Sequence, residues 1–444
     1  MMWAVEGTNF EREDIMNKFF QLKKNNTSLK TEVIAGLTAF FSIVYIIAVN
    51  ASILQDAGIP IEAGILATVF SSLVGCFLVA IFSNAPLIIV PGMGINALFT
   101  YTVVGKLGLD YKQALAAVFV AGILFIIVAF SKLSKILSES IPHGLKEAIT
   151  VGIGLFIAFI GFQKGGLVVS HPNNFVTLGN LSSPMVYVTI INLIITLFLF
   201  VKNVPGNFLI SIILGTGTSA LFGLIDFSSL AFTAPSFSDY SGVFMSMDFS
   251  AIGSIPFWTA TFSLALVLVF ENLGLLHGQV VGMLNSEEKL SPAFKAVSIS
   301  TLFCGIFGTS PTVSTVETAA GITAGGKTGL TSVITGLLFL LTLLFMPFIK
   351  LIPNSAIAPI LIIIGSLMIS NVLNIDFKDY TEGFPAFLTI VMIPLTYSIV
   401  DGIAFGFVAY PILKIFSKRS KEVSIAMYVV SAIFLLNFIL HSAY

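Results

Sequence analysis

The sequence predicts an all-α polytopic membrane protein, and three observations carry that prediction. Of 444 residues, 56% are hydrophobic and only 10% are charged, against about 25% charged in soluble domains. The mean hydropathy of +1.01 is incompatible with a surface that faces water on all sides. Apolar runs of roughly 20 residues, the length a helix needs to cross a bilayer, recur along the chain. These figures exclude a soluble enzyme, a disordered chain and a disulfide scaffold. A net charge of −1 and a pI near 6.4 supply no basic field for nucleic acid. Cys76 and Cys304 lie in apolar runs, where core packing is expected rather than a disulfide or a metal.

Residues 1–32 are polar and read as a cytoplasmic N-terminal segment without a cleavable signal peptide. Met16 offers a second start, which would make residues 1–15 an upstream extension. Spans are expected near 33–54, 64–82, 86–104, 112–130, 145–162, 184–201 and 207–225, a first group of seven. An outside loop over 226–256 follows, and then spans near 257–277, 292–308, 311–323, 329–350, 355–373, 384–399 and 401–416. The C-terminal segment 417–444 holds a further apolar stretch, 423–440.

Charge supports this count. Lysine and arginine gather on cytoplasmic segments, and Arg12, Lys18, Lys23, Lys24 and Lys30 place the N-terminus inside. Lys132, Lys135, Lys146, Lys202, Lys289, Lys295, Lys327 and Lys378 then fall inside, as do Lys414, Lys418, Arg419 and Lys421. The 226–256 loop has no Lys or Arg and falls outside, whereas Lys106, Lys112, Lys164 and Lys350 depart from the rule.

The two halves repeat. IFSNAPLIIVPG from Ile81 matches IFGTSPTVSTVE from Ile306, aligning Pro86 with Pro311. GILFII from Gly122 matches GLLFLL from Gly336, Ile141-Pro142 matches Ile352-Pro353, and Gly154 matches Gly365. Seven spans per repeat is odd, so the second repeat must lie upside down, the arrangement in which transporters form sites at interrupted helices near the bilayer midplane. The third span of each repeat is such a helix: Pro86, Pro91, Gly92 and Gly94 crowd one, and Pro311, Gly321, Gly325 and Gly326 the other. The β-prone runs Leu87 to Val90 and Val313 to Val316 predict short extended segments before each half-helix. A half-helix start offers free N–H groups and a positive dipole end to a polar ligand.

Two carboxylates lie inside apolar spans: Glu271 late in span 8 and Glu317 at the break of span 10. Burying one costs about 2.5–3.5 kcal/mol on insertion scales, which makes it a functional candidate by default. The neutral acid is cheaper to bury than the anion, which suits proton coupling. The bland alternative is a carboxylate satisfied by hydroxyls such as Thr315 or Thr318. Asn50, at the end of span 1, and Asn96, after the Gly92–Gly94 break, are candidates to line a cavity or to bond backbone. Tyr45, about one and a half turns before Asn50, either packs or binds. His277 is expected off the Glu271 face, Asp401 at a span boundary and Lys327 at a cytoplasmic helix end. No HExxH motif, Cys/His cluster, Walker loop or nucleophile elbow is present, so an enzyme reading has no support.

EVIAGLTAFFSIVYIIAVN, PGMGINALFTY and VETAAGITAGGKTGLTSVITG resemble the AzgA-type purine permeases, the hypoxanthine, guanine and adenine carriers of bacteria and fungi. The likeness runs from about Lys18 to Arg419. It implies the uracil-permease fold, fourteen spans as two inverted sevens. A core domain would cover about 33–130 and 257–350, and a gate domain about 145–225 and 355–416. It further implies a multi-pass cell-membrane protein that imports nucleobases by proton symport without a cofactor, and a homodimer through the gate. By motif, Glu317 and Glu271 would bind substrate and serve proton coupling. Gly92, Met93 and Asn96 would form the facing half-site, with Thr318, Asn50 and Tyr45 completing the substrate-binding set. Span 8 departs from the family's D-x-x-D-T-x-G-T, reading Leu268, Glu271, Asn272, Gly274 and Leu275, and Ala51 stands where the family usually has proline. The competing readings are the same fold carrying uracil, xanthine or an inorganic anion, and a channel.

Overall fold

The computed structural model describes residues 19–132, 140–173, 175–225 and 237–442. Arg12, Lys18, Lys135 and the first part of the 226–256 loop lie outside these residues. The helices of the first half are α1 (Leu29–Ile43), α2 (Ile46–Asp56), α3 (Ile61–Ser83), α4 (Met93–Ala97, continued by a π-helix Leu98–Lys106), α5 (Tyr111–Phe130), α6 (His143–Lys164), α7 (Pro184–Val201) and α8 (Asn207–Leu221). After the short α9 (Phe237–Ser241) come α10 (Ile255–Leu276, continued by a π-helix His277–Met283), α11 (Leu290–Phe307), α12 (Thr318–Thr323), α13 (Gly329–Leu341) and α14 (Met346–Ile349). The last are α15 (Asn354–Ile369), α16 (Tyr380–Thr396), α17 (Ile399–Phe416) and α18 (Ile425–Ser442). Four short strands, β1 (Ile89–Pro91), β2 (Val168–His171), β3 (Phe175–Leu178) and β4 (Thr312–Ser314), and five short 3-10 helices complete the described elements.

Among the described residues, ten helices are long and apolar enough to cross a membrane. The four remaining expected segments are spans 3 and 10, which are broken by β1 and β4, and α8 and α16, of 15 and 17 residues. Helix α1 begins at Leu29, four residues before the expected start. Ser28 caps it by accepting from the Thr31 N–H, and the polar residue Glu32 is accommodated because it has partners on another element. Its carboxylate accepts from the N–H groups of Lys327 at 3.0 Å, Thr328 at 3.4 Å and Thr331 at 3.3 Å, and from the Thr331 hydroxyl at 2.6 Å. An anion at the start of a helix offsets its unpaired N–H groups and dipole, so Glu32 fastens α1 to the start of α13.

The extended segments pair with each other. β1 and β4 run antiparallel, with Ile89 opposite Ser314, Val90 opposite Val313 and Pro91 opposite Thr312. The strand centres Val90 and Val313 thus lie 223 residues apart, so aligning Pro86 with Pro311, 225 apart, is two residues out of register at the strands. The helices before them, α3 and α11, both end on a left-handed residue, Asn84 at φ 47° and Gly308 at φ 83°. One residue fewer separates cap from strand in the second half.

The other sequence matches hold in three dimensions. Pro142 and Pro353 both occupy the position before a helix, α6 and α15. Gly122 of α5 lies against the Leu302 backbone of α11, where a Cβ would approach to 2.9 Å, and Gly336 of α13 lies against Cys76 of α3 at 3.2 Å. Gly154 and Gly365 face each other where α6 crosses α15, and a Cβ on Gly154 would come within 2.8 Å of the Gly365 carbonyl oxygen. Matched elements therefore meet antiparallel about one local two-fold, with Val90–Val313 and Gly154–Gly365 on it. The helices fall into two packed groups: α1–α5 with α10–α14, and α6–α8 with α15–α17. Helix α18 runs along α17, with Phe434 against Phe407 and the Ser431 hydroxyl donating to the Phe407 carbonyl.

Cys76 and Cys304 are buried free thiols, placed beside Ile89 of β1 and Thr312 of β4. Three of the four lysines that broke the charge rule are neutralised by acids: Lys164 pairs with Asp56 at 2.7 Å, Lys106 with Asp401, and Lys350 with Glu62. The fourth, Lys112, lies over the Tyr111 ring, 5.9 Å from its centroid.

Glu32→Ala removes the acceptor from three backbone N–H groups and a hydroxyl, each costing about 1–3 kcal/mol when buried unpaired. The thermal unfolding midpoint of the purified protein is expected to fall by several degrees, and by less in Glu32→Gln, which retains one acceptor oxygen. An unchanged midpoint in Glu32→Ala contradicts this role.

Candidate functional site

A cavity of about 940 Å³ lies between the two helix groups. One wall is built from the breaks: Tyr45 between α1 and α2, Gly92 and Met93 at the start of α4, Glu271 on α10, and Val313 to Glu317 at the end of β4. The opposite wall is apolar, with Ile149 and Ile153 of α6 and Ile364, Leu367 and Met368 of α15. His143, Lys146 and Glu147, at the first turns of α6, line its polar end.

Glu317 precedes the first residue of α12. The Tyr45 hydroxyl donates to its Oε1, and the Tyr45 ring meets Phe208 of α8 edge-on at 5.0 Å. Glu271 comes from α10. Its Oε2 is buried with no hydrogen-bond partner among the described residues. A Cβ on Gly92 would lie 3.7 Å from Glu271 Oε1 and 2.6 Å from Val313 Cγ2. Glycine at 92 is thus required by space, which lets the α4 backbone approach the carboxylate. The structure brings Glu271, Glu317, Tyr45, Gly92 and Met93 onto one cavity surface.

Asn50, Asn96 and Thr318 are not on that surface. Asn50 is fully buried and donates to the hydroxyls of Thr68 at 2.7 Å and Thr309 at 3.1 Å, while its Oδ1 accepts from Ser310. Asn96 reaches the Asn50 carbonyl at 3.5 Å. The Thr318 hydroxyl accepts from the Ile88 N–H at 3.1 Å, pinning the approach to β1. Asn50 is thus held by hydroxyls, and Asn96 and Thr318 by backbone groups, behind the site. His277, in contrast, does line the cavity. The helix is still α-helical from Glu271 to Leu276, and the cavity also takes in Phe270, Leu273, Gly274 and Gly278, so its surface is wider than the face that carries Glu271. Asp401 stands in the first turn of α17, paired with Lys106, and the Lys327 ammonium donates to the Asn26 carbonyl. Phe270, Asn272 and Gln279 were missed by sequence reasoning. An aromatic next to an intramembrane acid was the available signal for Phe270; the two amides gave none, because their partners are backbone and hydroxyl groups of Ser314 and Thr315 at the end of β4.

The family model described as Permease family (Xan_ur_permease) matches residues 30–405. The chain belongs to that permease family. It is a transporter and not an enzyme. This permease is 47% identical over 382 residues to the nucleobase transporter PlAzg2 of Paenibacillus larvae, covering 86% of this chain and 76% of that one. It is 40% identical to the guanine/hypoxanthine permease PbuO of Bacillus subtilis, over 94% of this chain and 99% of the relative. With the adenine permease AdeQ of Escherichia coli the identity is 33% over 96% of each chain. In fold the permease is similar to the transmembrane domain of a cyanobacterium bicarbonate transporter, BicA, at TM-score 0.65 and 19% identity, covering 84% of this chain and 97% of that one. It is likewise similar to the murine anion transporter Slc26a9 in the inward-facing state, at TM-score 0.65 and 13% identity, over 88% and 69% of the two chains.

Glu271 and Glu32 differ in a testable way. A membrane-permeant carbodiimide is expected to modify Glu271, which faces the cavity with a free oxygen, and to spare Glu32, whose oxygens are held by four donors. Peptide mass spectrometry of the labelled protein measures both. Equal labelling contradicts the difference in access.

Proposed function

We propose that this permease imports purine nucleobases, hypoxanthine and guanine with adenine as a further cargo, by proton symport across the cell membrane. The observation that carries the reading is a pair of half-buried carboxylates, Glu271 and Glu317, that line one cavity together with residues of the β1–β4 strand pair. A purine presents ring N–H donors, which need acceptors, and flat faces, which need apolar walls. It carries no net charge for a carboxylate to repel, whereas an inorganic anion would be repelled by both. Names of relatives that specify guanine, hypoxanthine and adenine support the same choice.

In this reading fourteen crossings form two inverted sevens. The core is α1–α5 with α10–α14, the gate is α6–α8 with α15–α17, and the core moves past the gate. The cavity's polar end lies at the start of α6, which the lysine distribution places in the cytoplasm along with the N-terminus. The ion pairs Asp56–Lys164 and Lys106–Asp401 join the two groups at the far end of α6, about 33 Å away at 1.5 Å per residue. The arrangement described is then open to the cytoplasm and shut outside. The gate domain is the surface proposed for a homodimer.

Glu317→Gln is expected to abolish transport with wild-type amounts of protein in the membrane. Glutamine keeps the size but turns one acceptor into a donor that opposes the base's own N–H. A mismatched buried hydrogen bond costs about 1–3 kcal/mol, roughly fivefold to over a hundredfold in affinity. Wild-type hypoxanthine binding by the purified variant rejects the assignment.

Glu271→Gln tests coupling separately, because it mimics a permanently protonated acid. Counterflow of labelled hypoxanthine in proteoliposomes is expected to persist while pH-driven accumulation is lost. Joint loss of both would make Glu271 a plain substrate ligand, and retained accumulation would remove it from coupling.

A further inference from the structure

We infer that Gln279 is a positioning residue for Glu317, acting through the end of β4 to hold that carboxylate against the ligand. The ladder between β1 and β4 ends at the Ile89–Ser314 pair, three residues before Glu317. Beyond it the backbone is irregular, and its position depends on side chains. Gln279 supplies two of these contacts at once. Its Nε2 donates to the Thr315 carbonyl at 2.7 Å, and its Oε1 accepts from the Ser314 hydroxyl at 2.6 Å. The Ser314 N–H is held in turn by Asn272 Oδ1 at 3.1 Å, and the Asn272 amide group donates to the Leu268 carbonyl at 2.9 Å.

Both amides come from the helix that carries Glu271, so one rigid element sets the spacing of the two carboxylates. Gln279 is 5% exposed and lies in the π-helix that continues α10. A π-turn shifts the phase of the residues that follow it and recurs at functional sites. Here it presents Gln279 to the end of β4. Thr315 O also accepts from the Thr318 N–H at 3.0 Å, which closes the turn that contains Glu317. Freeing the carbonyl from Gln279 therefore loosens the turn that aims Glu317 without touching the carboxylate.

The inference rests on the reading of Glu317 as a ligand for a ring N–H. It is tested with purified full-length protein, by equilibrium binding of hypoxanthine and of its 1-, 7- and 9-methyl derivatives, together with thermal unfolding. The derivative most weakened in the wild type sets a discrimination ratio. Gln279→Met, similar in length and apolar, is expected to weaken hypoxanthine binding about tenfold and to collapse the ratio, with unfolding within a few degrees of wild type. Unchanged affinity and ratio overturn the inference. So does a parallel loss for every base with a lowered unfolding midpoint, which a merely structural role produces. If Gln279→Met does not fold, Ser314→Ala, which removes one of the two contacts, decides: a smaller change in the same direction supports the inference, and none overturns it. Glu317→Gln measured alongside separates the two readings. Wild-type binding there rejects the ligand role of Glu317 and the positioning role with it, whereas lost binding there with an unaffected Gln279→Met rejects only the latter.

Discussion

Two stretches of non-helical backbone cross the middle of this protein, where no water is available to satisfy their N–H and carbonyl groups. Each supplies much of what the other lacks. The β1–β4 ladder pairs three residues with three, and the Gly92 N–H continues it to the Pro311 carbonyl. What the ladder leaves over is taken by side chains: Ser332 donates to the carbonyls of Ala85 and Leu87, Thr318 accepts from Ile88, and Asn272 and Gln279 hold Ser314 and Thr315. Most of the buried polar residues in these spans are explained by that demand. It also explains why Thr318, which looks like a ligand in a linear reading, is committed to the protein's own framework, while Asn50 and Asn96 are taken up by hydroxyls and a helix carbonyl.

Because the two strands are repeat equivalents paired antiparallel, the halves meet about a local two-fold, and the helices around it must approach closely. Small residues make this possible at the matched positions, most visibly where Gly154 faces Gly365. Without a hydrophobic force between helices in lipid, such close backbone packing is a main source of association. The symmetry is broken where chemistry is needed. The first break offers Gly92, whose missing side chain makes room beside Glu271, and the second offers a carboxylate, Glu317, beside Tyr45. A pseudo-symmetric frame thus holds an asymmetric site.

The distribution of charge follows the same division. Acids inside the membrane are either consumed by helix starts, as Glu32 is, or left facing the cavity, as Glu271 is. Lysines on the face that disfavours them are matched by Asp56, Asp401 and Glu62, two of these pairs joining the helix groups on either side of the cavity. Under the proposed movement of one helix group past the other, a pair that bridges them holds only while they are in register, so these contacts would belong to one arrangement of the two.

Composition and apolar length by themselves determined the membrane class and the positions of the helical segments, because a helix in lipid must be apolar over a span of fixed length. The repeat was legible too, since close approaches on a symmetry axis demand glycine and helix starts tolerate proline, and both leave marks in sequence. The acids Glu271 and Glu317 stood out by their cost. Tertiary structure alone decided which polar residues face the cavity. A polar group at membrane depth has to bond something, and whether it finds a partner, as Asn50 does in the Thr309 hydroxyl 259 residues away, or stays unpartnered among the described residues, as Glu271 Oε2 does, depends on distant segments. The strand register, two residues from the sequence alignment, was decided there as well, because the ladder forms where the hydrogen bonds close and not where the prolines align.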